Sequence, residues 1–227
     1  MKPTLMLARF KTAAYLRSHR IVQPFVGLLA ILIILYSTRV LAGHELSSYG
    51  DSAALLVPVF AWAARGLLDT EPDVQRLLSV TASGRPGREV TAGLLASAAV
   101  NAVLACLAVL APLGIGFAVT PGGAVVAGGL ALHVLSLLTG TALGALSSRP
   151  ILRDQATSTL VMLGAYVAML LISLAPVTWL TVPLISWMRD AGRPAFLTSA
   201  LPGLAAITLA WCTLAFLTYT YLRRTRP

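Results

Sequence analysis

The chain has 227 residues, of which 57% are hydrophobic and 11% charged, and its formal net charge is +9. A soluble domain carries about 25% charged residues, so a fully water-exposed surface is excluded and lipid is the expected solvent. A helix needs roughly 20 apolar residues to cross a hydrocarbon core about 30 Å thick. Five or six such runs leave no stretch long enough for a separate soluble domain, and the expected architecture is one all-α integral membrane domain over residues 1–227.

Residues 1–20 hold Lys2, Arg9, Lys11, Arg17 and Arg20 and no acid. On a helical wheel Met6, Leu7, Phe10, Ala13 and Ala14 share one face while Arg9, Lys11 and Thr12 lie elsewhere. That pattern predicts an N-terminal helix lying in the membrane interface and attracted by anionic lipid. The first span is expected over 21–41. It reads as a retained helix rather than a cleaved signal, because the basic region is long and Arg39 crowds the cleavage site. A polar loop at 44–51 precedes a second span at 52–68, and a charged stretch fills 69–89. The third apolar run, 90–119, exceeds one crossing, and Pro112, Gly114 and Gly116 are expected to bend or end it. Thr120-Pro121-Gly122-Gly123 predicts a tight turn, followed by a fourth span at 124–146, an arginine-containing loop at 147–154 and a fifth span at 155–174.

Residues 175–196 differ in kind. Pro176, Pro183 and Pro194 interrupt them, and Trp179 and Trp187 favour the headgroup level, so a short external re-entrant segment is expected there. A sixth span at 197–222 ends in Arg223, Arg224 and Arg226. Cys106 and Cys212 fall inside apolar runs and read as buried small hydrophobes, with no disulfide framework and no metal spacing.

Thirteen Lys and Arg fall at the N-terminus, in 69–89, in 147–154 and at the C-terminus, against Arg39, Arg189 and Arg193 on the other side. Basic residues collect on the cytoplasmic side, which predicts a multi-pass protein of the cell membrane with both termini cytoplasmic. Six crossings have the matching parity.

The stretch DTEPDVQRLLSVTASGRPGREVTAG, 69–93, contains four of the eight acidic residues in the chain. Thr70-Glu71-Pro72-Asp73 fits a helix-start pattern that tolerates proline in the first turn. Val74, Leu77 and Leu78 follow on one face, with Gln75, Arg76 and Ser79 elsewhere. Gly84-Arg85-Pro86-Gly87 then turns the chain back. The expected element is a short amphipathic helix with an apolar ridge and a charged rim, suited to a partner's groove.

A basic interfacial helix, six spans and this acid-containing helix between spans two and three resemble the membrane subunit of a type-2 ABC exporter, the ABC-2 permease family. The resemblance covers the chain in topology and one loop in sequence: Glu71 or Asp73, then Leu77-Leu78, Thr81-Ala82-Ser83, Arg85 or Arg88, and Gly93-Leu94-Leu95. It implies that residues 70–84 are a coupling helix docking on a separate ATPase subunit through Glu71, Asp73, Val74, Arg76, Leu77, Leu78 and Arg85. It also implies a dimer with a second permease copy or paralogue. ATP and magnesium would be held by the partner ATPase.

No phosphate-binding G-x-x-x-x-G-K-[ST] loop, H-E-x-x-H or G-x-S-x-G occurs, so neither an enzyme nor a cofactor is expected on this chain, and no nucleic-acid partner. Arg65, with Asp69 at i+4, reads as a snorkelling, paired structural arginine. Asn101 and His133 lie mid-span, where polar groups are either interhelical hydrogen-bond partners or parts of a translocation pathway. Gly140-x-x-x-Gly144 predicts close helix packing, within the subunit or across a dimer. The expected function is ATP-driven export of an apolar or amphipathic cargo, such as a drug, a lipid-like molecule or a peptide. The alternatives are a secondary transporter using His133 and Asn101, and a non-transport immunity or scaffold protein.

Overall fold

A computed structural model describes residues 3–72, 75, 78, 81, 86–175, 177–193 and 195–225. Among them the chain is helical, with no strand beyond an isolated bridge of Val40 to Phe117. The helices are α1 (Pro3–Arg17), α2 (Val22–Tyr36), α3 (Glu45–Leu68), α4 (Pro86–Ile115), α5 (Gly123–Leu146), α6 (Gln155–Ser173), α7 (Leu184–Asp190), α8 (Phe196–Ser199) and α9 (Leu201–Thr225). A 3-10 turn, Thr178–Leu180, lies between α6 and α7. Among the described residues five helices, α3, α4, α5, α6 and α9, are long and apolar enough to cross a membrane, and the bent pair α1–α2 raises the number to six if it counts as one span.

Helix boundaries follow local chemistry. Pro86, Pro24 and Pro202 all fall in first turns, where a missing N–H costs no helical bond. The Asp154 carboxylate caps α6 by accepting from the Thr157 N–H at 2.7 Å. α4 contains Pro112 and ends at Ile115, three residues beyond it. Between α1 and α2 the chain bends by 75°, with His19 at φ 57° in the turn.

Two expectations are corrected. The second span begins at Glu45 rather than at 52, because α7 covers its polar start. Gly50 packs so tightly there that a Cβ would meet the Trp187 carbonyl oxygen at 2.6 Å. Trp187 itself is fully buried, while Trp179 is exposed. Cys106 is exposed on the apolar exterior, and Cys212 alone of the pair is buried.

α3 is the hub. α2 runs antiparallel beside it, with Gly27 near Val59 at one level and the Tyr36 hydroxyl near Ser52 at another. α5 crosses it through glycines: a Cβ on Gly140 would lie 2.4 Å from Phe60 Cβ and 2.8 Å from Val57 O, and one on Gly144 would lie 2.3 Å from Ala61 O. The small-residue motif is thus used within the subunit, and it brings backbones close enough for dispersion contacts to accumulate. Pro58 lies inside α3 and cannot donate to the Ala54 carbonyl one turn back. The Tyr166 hydroxyl of α6 donates to that carbonyl instead, at 3.3 Å. The neighbouring Ala53 carbonyl accepts from Ser136 of α5 at 2.5 Å. In hydrocarbon a backbone acceptor must be satisfied by the protein, so α6 supplies the donor that Pro58 withholds, and α5 adds a bond to the carbonyl beside it.

Gly140→Ala should cost about 1–3 kcal/mol by overpacking, whereas Gly164→Ala, with nothing within 4 Å, should be neutral or stabilising by ~0.5–1 kcal/mol. Thermal unfolding in detergent separates the two. Tyr166→Phe removes a donor without removing the ring and should cost about 1–3 kcal/mol. Unchanged stability in that variant would show the Ala54 carbonyl to be satisfied another way.

Candidate functional site: a buried charge cluster beside the charged connection

The site is built where α1, α4 and α9 meet the chain leaving α3. On α1 the buried residues are Ala8, Lys11 and Tyr15, spaced i, i+3, i+7. Met6 and Phe10, of the apolar stripe, are exposed on the outside of the bundle. Sequence reasoning assigned Lys11 to a polar outer face; it faces inward and is 6% exposed. The inversion has a charge-pairing cause. Lys11 Nζ donates to Glu71 Oε2 at 2.5 Å and to Glu89 Oε1 at 2.9 Å. Arg223, in the last turn of α9, donates to the other Glu89 oxygen at 2.6 Å. Two cations and two anions from four chain segments form a buried cluster that is neutral as a set. Buried charges are tolerated only when so paired.

Glu71 and Glu89 bracket the charged connection, and one lysine holds both. Glu71 is 4% exposed and pairs with Lys11 inside the fold. The Thr70 hydroxyl donates back to the Gly66 carbonyl of α3 at 2.8 Å. Between these feet Gln75, Leu78 and Thr81 are described; all three are helical and exposed, Leu78 at 66%. Asp73, Val74, Arg76, Leu77 and Arg85 lie outside the described residues, as does the rest of the ridge.

The mid-span candidates lie elsewhere and apart from each other. Asn101 Nδ2 donates to the Phe60 carbonyl at 3.0 Å and to Thr141 Oγ1 at 2.9 Å, linking α4 to α3 and α5. His133 Nε2 is 3.2 Å from Ser52 Oγ, its Nδ1 is 2.8 Å from the Gly129 carbonyl, and Tyr49 packs edge-on against its ring. Their α3 partners, Phe60 and Ser52, are two turns apart, or ~12 Å along the axis. Both side chains are fully buried, and both are engaged between helices.

Arg65 takes the structural role expected of it. Its guanidinium donates to Thr159 Oγ1 at 2.7 Å and to the Gln155 carbonyl at 3.1 Å, with Asp69 at 3.6 Å. No group of three or more His, Cys, Asp or Glu among the described residues has metal-binding geometry.

Lys11, Glu89 and Arg223 escaped sequence reasoning because their pairing spans 78 and 134 residues. The available signal was weak: Glu89 is an acid placed where the chain collects cations. No known protein family, characterised protein or solved structure matches this chain.

Breaking a buried pair by removing one partner costs about 3–5 kcal/mol. Lys11→Met should therefore unfold at markedly lower temperature, and adding Glu71→Gln should recover part of the loss although Glu71→Gln alone destabilises. Strict additivity in that double-mutant cycle would mean that the two side chains are not coupled.

Proposed function

We propose that the chain is the transmembrane subunit of an ATP-driven exporter of the ABC-2 kind. In this reading it crosses the cell membrane six times with both termini cytoplasmic and pairs with a second permease copy or paralogue. Two separate ATPase subunits bind and hydrolyse ATP. Helix α1 lies in the cytoplasmic interface, residues 70–84 dock on the ATPase, and the segment from α6 to α9 is the external re-entrant element.

One observation carries this reading. Lys11 pairs with acids on both sides of the charged connection, and Arg223 shares the second of them. A displacement applied to residues 72–86 by another protein would reach α1 and α9 through charge pairs, as well as α3 and α4 through the backbone. Glu71 then acts as an anchor for the docking element. Asp73, Val74, Arg76, Leu77, Leu78 and Arg85 are its contact residues, with the exposed Leu78 on the outer surface. An apolar or amphipathic cargo fits the engagement of Asn101 and His133 in interhelical bonds. A proton-coupled secondary transporter loses support for the same reason, since both His133 nitrogens have partners inside the fold.

Affinity purification of the full chain from its own membrane should bring down an ATPase. Leu77→Asp/Leu78→Asp should weaken that association at least about tenfold, since a buried leucine anchor contributes about 1.5–3 kcal/mol. Val119→Asp, an exposed apolar site at the opposite end of the bundle, should leave it intact. A double variant that retains the ATPase, or a wild-type chain that captures none, overturns the assignment.

A further inference from the structure

A basic feature lies near the charge cluster. A cavity of about 570 Å³ opens where α3 ends and α6 begins, with Arg20, Arg65, Arg149, Arg153, Asp69 and Trp62 among its lining residues. Among the described lining residues are four arginines and one carboxylate, in a concave site. The Asp69 Oδ1 accepts from the Arg149 backbone N–H at 2.7 Å, and its carboxylate neighbours Arg65. Asp69 therefore orders the wall that the arginines form.

The wall is built before any ligand arrives. Arg65 is 6% exposed and held by Thr159 and the Gln155 carbonyl. Arg20 is tied to the Asp69 carbonyl at 3.1 Å. Arg149 and Arg153, in the short connection before α6, are exposed at the mouth. Trp62, one turn deeper on α3, is 46% exposed, the placement of an aromatic residue beside lipid at the interface.

We infer that this cavity binds the phosphate group of an acidic phospholipid. Guanidinium groups match phosphate oxygens in bidentate geometry, and basic pockets between spanning helices take acidic headgroups at this depth. The volume lies in the range of small-ligand sites, about 300–1,000 Å³. Residues from the α1–α2 turn, α3 and α6 would then be bridged by one anion that the surrounding leaflet supplies. The inference rests on the cavity and its charges, and stands or falls independently of the exporter reading.

The test uses purified full chain in non-ionic detergent, titrated separately with phosphatidylglycerol, phosphatidylcholine and inorganic phosphate, with thermal unfolding as the readout. Phosphatidylglycerol should raise the unfolding midpoint and phosphatidylcholine should not. Arg149→Gln/Arg153→Gln should require roughly thirtyfold more phosphatidylglycerol for the same shift, and so should test the mouth without touching the buried wall. Arg39→Gln, an exposed arginine at the opposite end, should titrate like the wild type. Stabilisation by inorganic phosphate that the Arg149/Arg153 variant loses would keep the site and assign it to a free phosphate instead of a lipid. Equal titration of wild type and the Arg149/Arg153 variant overturns the site, as does an equal response to phosphatidylcholine or an equal weakening by Arg39→Gln.

Discussion

Close contact between α3 and α5 is the constraint on which the rest of the bundle depends. Gly140 and Gly144 bring the α5 backbone so near Val57, Phe60 and Ala61 that even a methyl group would collide. Apolar burial does little to drive helices together inside lipid, where dispersion and hydrogen bonding supply the association. Contact at this distance also lets short polar side chains reach across. Ser136 reaches the Ala53 carbonyl, His133 approaches Ser52, and Asn101 of α4 bridges the Phe60 carbonyl and Thr141. Loosening the glycine contact would lengthen all of these together.

Around that pair the molecule is asymmetric in polarity. Its middle is held by neutral hydrogen bonds between helices, and one end is held by charge. Lys11, Glu71, Glu89 and Arg223 pair with one another in a buried set, while Arg20, Arg65, Arg149 and Arg153 line a cavity with Asp69. The cluster and the cavity both adjoin the end of α3, through Glu71 and Asp69. Charge at this end is thus in part paired inside the fold and in part gathered around a cavity. Electrostatic stability at this end is therefore a matter of pairing as much as of attraction to lipid.

Several features were legible in the sequence because they depend on local chemistry. Helix positions followed from apolar run length, and most boundaries fell within a few residues of proline, glycine or an acidic cap such as Asp154. The pairing of Arg65 with Asp69 followed from i,i+4 spacing on one helix. The start of α3 did not follow, because Glu45, Ser48 and Asp51 look like a polar loop until α7 is placed over them. Nor did the burial of Trp187 follow from the sequence, because it depends on the packing of α7 against α3, where Gly50 admits the Trp187 backbone.

The sequence by itself determined that this is an all-helical chain with lipid as its solvent, that its basic residues collect at one end, and that one charged connection stands out between two apolar runs. Those properties depend on composition and on neighbours a few residues apart. Tertiary structure alone decided which charges are partners. Lys11 was one of five cations in a basic leader until the fold set it between Glu71 and Glu89, and Arg223 was a tail residue until α9 returned to the same end. Pairing energy in a low-dielectric interior depends on distance through space, and no spacing rule along the chain encodes a contact across 134 residues.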